Sequence, residues 1–233
     1  MAAVHPRIAT LIRSLKRSPD RDGVFNPWRD VDIEHEISDK GPAIRRRQYG
    51  IYLTERLNRA KYLLVGEAPG YQGGHFTGIP MTSERLLLGG LEARGVYPTH
   101  AFRSIEPQRT SKPEIRECGF SEPTCTIVWS RLIELGIDPY EVIIWNAYPW
   151  HSYNPSRGML SNRTPGDREM LLGQPLLGRL LEITGVRHIV AVGRKSHDLL
   201  GEMGYRVERI RHPASGGAPA FKKQFAAWME SIR

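Results

Sequence analysis

The chain has 233 residues, a net charge of +8 and 40% hydrophobic residues, which suits one α/β domain around a single buried core. No apolar run reaches membrane-spanning length, the N-terminus lacks the apolar stretch of a secretory signal, and two cysteines fit a reducing cytoplasm. The positive excess favours a polyanionic partner, nucleic acid first.

"MAAVHPRIATLIRSLKRSP" predicts a short basic amphipathic helix, and "AIRRRQYGIYLTERLNRAK", from Ala43, a surface helix. Together they form an N-terminal helical extension of about residues 1–60. "KYLLVG" is a buried strand at 62–66. "TSERLLLGGLEARG" is a helix capped by Thr82 or Ser83 and ended by Gly95. Periodicity then lapses, and about 96–126 reads as an irregular insertion. It returns with the helix "TIVWSRLIELGI" and the strand at 141–145 in "EVIIWNAYPW". "NRTPGDREMLLGQPLLGRLLEITG" is a polar loop entering a helix, "HIVAVG" a strand at 188–192, and "RKSHDLLGEMG" a short helix. "YRVERIRHP" is a strand at 206–210, and "APAFKKQFAAWMESIR" a closing amphipathic helix. Strands alternating with helices predict an α/β fold with three α-β-α layers and a central, mostly parallel four-stranded sheet, in one domain over 1–233.

In such a sheet ligands bind beyond the carboxyl ends of the strands. The segments there are "GEAPGYQGGHFTGIPM", "NAYPWHSYNP", "GRKSH" and "HPASGG", so glycines and polar residues gather at one edge four times. No Lys-Ser or Lys-Thr closes the first loop as a phosphate loop requires, and Pro69 and Pro80 break a dinucleotide fingerprint. A flat, amide-like ligand fits better. Glycines let the backbone approach it closely, and Asn146 at a strand end offers one acceptor and two donors to its edge. Uracil presents such an edge, with His212 on the facing loop to meet O2. Taken singly, Asn146 also reads as a loop cap and His212 as a structural histidine. The cysteines, Cys118 and Cys125, stand in a C-x6-C spacing that matches no common zinc or cluster pattern.

"GEAPG", "GIPM", Asn146 and "HPASGG", in that order at strand ends, resemble the uracil-DNA glycosylase superfamily over roughly Tyr62 to Phe225. The first motif is similar to the iron–sulfur branch, and the "TGIP" spacing to the single-strand-selective branch. "VGR" at 192–194 is a further, weaker likeness. The resemblance implies hydrolysis of the N-glycosidic bond of uracil in DNA, with base flipping and without a metal. It makes His212 the donor to uracil O2, Asn146 the base reader, and Glu67 the residue that serves the water, with His75 as a weaker alternative. Gly66, Ala68, Gly70, Tyr71, Phe76, His75 and Met81 then line the base, and Ser215, Gly216, Gly217, Arg157 and Arg163 hold the DNA.

The chain departs from the family in several places. Ala68 stands where some branches carry a water-positioning Asp or Asn. Gly70 stands where the strictest enzymes carry a tyrosine against thymine's methyl group, with Tyr71 next as a substitute. Met81 takes the position of a stacking ring, and Phe76 is the alternative ring. Gly216 stands where relatives place a large wedge residue, leaving that task to the loop with Arg157 and Arg163 or to the insertion. The iron–sulfur branch uses four cysteines, so two predict no cluster. The expectation is a monomeric, cytoplasmic repair glycosylase acting on uracil in single- or double-stranded DNA, without cofactor, metal or membrane. The alternatives are a glycosylase for other deaminated bases such as hypoxanthine or xanthine, and a non-catalytic nucleobase-binding module on the same fold.

Overall fold

Apolar runs that are buried on both faces build the centre of the molecule. The computed structural model describes residues 2–17 and 21–232; Ser18 and Pro19, at the end of the first amphipathic stretch, lie outside them. Helix α1 (Pro6–Leu15) opens with Pro6 at its first position and His5 Nδ1 accepting from Arg7 N at 3.3 Å. It buries Ile8, Leu11, Ile12 and Leu15, one face of a 3.6-residue period. Strand β1 (Val24–Phe25) and helix α2 (Gly41–Arg56) complete the extension. Then follow β2 (Tyr62–Gly66), the short α3 (Gly74–Thr77) and α4 (Glu84–Leu87), α5 (Pro123–Glu134), β3 (Val142–Asn146) and β4 (His151–Ser152). The rest is α6 (Asp167–Met170), α7 (Gln174–Thr184), β5 (His188–Val192), α8 (Arg194–Glu202), β6 (Glu208–Ile210) and α9 (Ala218–Ser231). The sheet order is β3-β2-β5-β6 and every pairing is parallel.

Four local expectations are corrected. The helix read as a surface helix, α2, is largely internal: Arg45 and Arg56 are fully buried. Arg56 donates to the carbonyls of Val142, Tyr52, Ala101 and His100 at 2.9–3.1 Å, and its guanidinium lies 3.7 Å from the centre of the Tyr52 ring. Arg45 pairs with Glu36 at 2.5 Å. The helix expected from Thr82 to Gly95 stops at Leu87, because Gly89 (φ +84°) turns the chain before a 3-10 turn at Glu92–Arg94.

The segment from 96 to 126 contains a 3-10 turn (Pro98–His100), and α5 already begins at Pro123. Acceptors on other elements hold this segment. Glu84 Oε1 accepts from the amides of Thr110 and Ser111 at 2.7 and 3.0 Å, and Glu55 Oε1 from Arg103 and Ser104 at 3.1 and 2.8 Å. The fourth correction is an addition: β1 and β4 form a two-residue antiparallel ladder, Val24 opposite Ser152 and Phe25 opposite His151. It ties the extension to the loop that follows β3.

Candidate active site

The parallel register decides where the site forms. Gly66 pairs with Asn146 at the carboxyl ends of β2 and β3. The ladder runs on past both, with Ala147 N donating to Gly66 O and Tyr148 N to Glu67 O, each at 2.8 Å. Loops from the ends of β2, β3 and β6, with the start of α5, enclose a cleft of about 670 Å³. Glu67, Ala68 and Gly70 line it from the first loop, Asn146, Asn162 and Arg163 from the second, and Arg211, His212 and Ser215 from the third.

Asn146 is 2% exposed, and its Nδ2 has no hydrogen-bond partner. Its side chain occupies space that only a glycine leaves open. A Cβ on Gly66 would come within 2.8 Å of Asn146 Oδ1 and 2.6 Å of Met81 Cε. A buried, unpaired donor costs about 1–3 kcal/mol. A ligand that brings an acceptor to Nδ2 recovers that cost. Met81, beside it, has φ +46°, a left-handed backbone that costs a non-glycine residue about 1–2 kcal/mol. Its carbonyl accepts from Trp129 Nε1 at 3.2 Å, and Thr77 Oγ1 donates to the next carbonyl, of Thr82, at 2.7 Å. These bonds hold the thioether in the cleft wall.

His212 is fixed in one tautomer by its own loop. Ala214 N donates to its Nδ1 at 3.1 Å, so Nε2 carries the hydrogen. Burial, helped by Arg211, pushes the imidazole below its ordinary pKa and keeps it neutral near pH 7. Burial pushes the Glu67 carboxyl up, against the charge of Lys195, a hydrogen bond with Thr164 and the charge of Arg194. The cleft therefore holds an amide, a neutral N–H donor and a carboxyl with raised proton affinity.

Some expected site residues lie elsewhere. His75 is fully buried away from the cleft, with Nε2 3.0 Å from Asp32 Oδ2 and Nδ1 2.9 Å from His151 Nδ1. The short α3 turns it inward, where Phe25 stacks on it at 4.0 Å. Phe76 stacks on Phe120 at 4.2 Å and is also outside the lining. Tyr71 does not fill the space at Gly70; its amide donates to Asn162 Oδ1 at 3.0 Å. Arg163 lines the cleft, but Glu169 takes its guanidinium with two bonds of 2.7 and 2.9 Å. Arg157 is exposed on a 3-10 turn outside the lining. In the last loop Ser215 (φ +52°) and Gly216 (φ +74°) are exposed, whereas Gly217 is buried and its amide is already used by Ala214 O at 3.0 Å.

Two cleft residues carry no signal in the sequence. Glu122 stands in the aperiodic stretch, and Asn162 in a polar loop among other polar residues. Of the two thiols, Cys118 is exposed and Cys125 is buried, with burial first among the causes that push it up to about 12. Among the described residues no group of three or more His, Cys, Asp or Glu is placed to hold a metal ion, and no helix is long and apolar enough to cross a membrane.

A family model described as the uracil DNA glycosylase superfamily matches residues 55–230. Among solved structures, the chain is similar to the wild-type SMUG2 of Pedobacter heparinus, with a TM-score of 0.61 and 14% identity over 97% of each chain. No curated protein matches it.

Proposed function

This chain belongs to the uracil DNA glycosylase superfamily, and from that premise we propose that it hydrolyses the N-glycosidic bond of uracil in DNA and leaves an abasic site. The unpartnered Nδ2 of Asn146 carries the reading. Uracil brings O4 to Nδ2 and N3–H to the Asn146 carbonyl, whereas cytosine presents the opposite pattern there and leaves both groups unpaired. His212 Nε2–H serves O2.

In the reaction the bond from C1′ to N1 breaks and its electron pair leaves with the base. Negative charge grows at O2, where a preorganised donor in a water-poor cleft is worth most. The sugar becomes cation-like, a water oxygen bonds C1′, and its proton passes to the Glu67 carboxylate. Ala68 offers no side chain for orienting that water. The raised pKa of Glu67 supports its role as the base, because a higher proton affinity improves proton transfer from the water. The base reaches the cleft by flipping out of the strand. The amides of Ser215 and Gly216 stand ready for a phosphate. In this reading the protein works as a cytoplasmic monomer, with no metal or cluster, and makes one cut per site.

A second reading is favoured by one observation. The side of the cleft at Gly70 carries the polar heads of Glu122 and Asn162 in place of a ring, so it suits a base with further polar groups on that edge. The test is incubation of labelled single- and double-stranded oligonucleotides carrying U, T, hypoxanthine or xanthine, followed by alkaline cleavage of abasic sites. Cleavage at U alone supports uracil selectivity, and cleavage at the purines supports the second reading. Binding without cleavage overturns both in favour of a non-catalytic module.

A further inference from the structure

We propose that Glu122 is a second base-reading residue, whose carboxyl group donates a hydrogen bond to an acceptor on the edge of the base that Asn146 and His212 leave free. The proposal rests on the glycosylase reading and deepens it.

Glu122 lines the same cleft as Asn146, Glu67 and His212. Its Oε2 is shut off from solvent and has no hydrogen-bond partner. The glycine loop is shaped around it. A side chain on Gly73 would collide with Oε2, and a Cβ on Gly70 would stand 3.3 Å from Oε1 and 3.8 Å from Asn162 Nδ2. Two polar heads thus share the space over Gly70. Glu122 also occupies the N-cap position of α5, yet its side chain makes no cap bond. The usual use of a polar residue at a helix start is forgone: Oε1 faces Gly70 in the cleft wall and Oε2 packs against Gly73.

An ionised carboxylate with a buried, unsatisfied oxygen is costly, and the protonated form is the cheaper one. Burial alone pushes this carboxyl up to about 7. The charged and titratable groups around it do not reverse that. Arg163 is held by Glu169, His212 is neutral, and Arg211 is exposed at the rim. Cys125, on the same helix, keeps its thiol proton, and Glu67 is itself raised by burial. A bound base displaces more water and favours the protonated acid further.

A protonated acid needs an acceptor, and on its free edge uracil offers only the second lone pair of O4, an oxygen that Asn146 already uses. Asn146 takes N3–H and O4, His212 takes O2, and N1 carries the sugar. The bases that satisfy Glu122 carry a further acceptor, either an oxygen substituent at C5 of a pyrimidine or N7 of a deaminated purine. Thymine, which places a methyl group at C5, is the size-matched control without an acceptor.

The experiment measures single-turnover excision of uracil, thymine, 5-hydroxymethyluracil and hypoxanthine from otherwise identical strands at pH 6 to 8. It uses the full chain and the variants Glu122→Leu and Glu122→Gln. The wild type is expected to prefer at least one acceptor-bearing base over thymine by about tenfold, the value of one net hydrogen bond, and, on hypoxanthine, whose N7 can only accept, to lose that preference as pH rises past 7. Glu122→Gln, which keeps a donor, is expected to hold the preference and make it independent of pH. Glu122→Leu is expected to abolish it, read within each variant as the ratio of excision of the acceptor-bearing base to excision of thymine. An unchanged preference in Glu122→Leu overturns the proposal. So does an equal loss on all four bases, or a preference in Glu122→Gln that follows pH as the wild type does. Excision of uracil with neither acceptor-bearing base overturns the proposal and spares the glycosylase reading. Excision of no base overturns both.

Discussion

At the scale of single residues, the cleft is governed by what Gly66 leaves empty. Because no Cβ stands there, Asn146 reaches across the end of β2 and presents an unpaired amide. Asn146→Asp replaces that donor with an acceptor. Uracil excision is expected to fall by about a hundredfold or more, since a mismatched buried pair forfeits one bond and strands another group. Folding loses no hydrogen bond, because the amide has no partner in the protein, but the buried carboxyl carries a desolvation cost, so a thermal melt accompanies the rate measurement. Unchanged single-turnover excision of uracil by this variant would remove Asn146 from the site. His212 and Glu67 divide the remaining work. Charge on the leaving base appears near the transition state, and His212 Nε2–H acts on it directly. Glu67 acts on a water that attacks late in a dissociative reaction. His212→Ala is therefore expected to lower the excision rate by about 10²–10³, as loss of such a donor does elsewhere, and Glu67→Gln by no more than that. Both variants should still bind uracil-containing DNA. The reverse order of effects would make Glu67 the main catalyst.

At the scale of elements, the buried Asp32–His75–His151 chain joins the N-terminal extension to the cleft loops. Asp32 precedes α2, His75 sits in α3, and His151 in β4, whose Nε2 is 2.9 Å from Ser161 O. Burial pushes His75 down to about 4 against the pull of Asp32, and burial with His75 pushes His151 down to about 3. Burial works to raise Asp32, but its bonds and charge interactions with His75 and His35 win and bring it to about 2. All three folded values lie below the unfolded ones, so the unfolded chain binds protons first as pH falls. Stability is complete above roughly pH 6.5, the unfolded histidine value, and drains away as pH falls toward 4. Thermal melts are expected to show Tm dropping by several degrees from pH 7 to pH 5. The slope should flatten in His75→Gln/His151→Gln, which has no imidazole to charge in this chain, and an unflattened slope would place the acid sensitivity elsewhere.

The same chain shows what was legible in the sequence and what was not. Strands β2, β3 and β5 could be read because burial leaves continuous apolar runs, whereas the edge strand β6 is exposed at Glu208 and Arg209 and showed only by its place after a helix; Asn146 and His212 stood out as the polar residues that end or follow strands. His75 misled because its partner, Asp32, is 43 residues away and nothing local reveals it. Arg45 and Arg56 misled for the same reason, since carbonyls distant in sequence replace the water they lose. A two-residue ladder such as β1–β4 has no period at all. Glu122 gave no signal because its environment is made by the backbone of another loop.

At the scale of the whole molecule, the question is how much of the +8 charge acts on DNA. Charges farther than a Debye length of about 8–10 Å from the phosphates are screened, so the total is a poor guide. At the carboxyl edge of the sheet several cations are already spent: Arg163 on Glu169 and Lys195 on Asp167. At the opposite edge, Lys61 pairs with Glu141 at the start of β2 and is too remote to help. Among the described residues, the cations left exposed on the loops around the cleft and its flanks include Arg157, Arg194 and Arg211. If these three each neutralise one phosphate, log affinity for duplex DNA should fall with log salt at a slope of about −2.7, or about 40-fold between 50 and 200 mM. A slope set by the whole charge excess would be near −7 by the same rule. Arg211, beside His212 at the cleft rim, offers the sharpest check. Arg211→Ala is expected to make the slope shallower by about 0.9 and to weaken binding alike on uracil-containing and undamaged strands, because phosphate contacts position the chain without reading the base. A flat salt dependence in the wild type would detach the charge from nucleic acid altogether. A loss in Arg211→Ala confined to uracil-containing strands would move Arg211 from the backbone to the base.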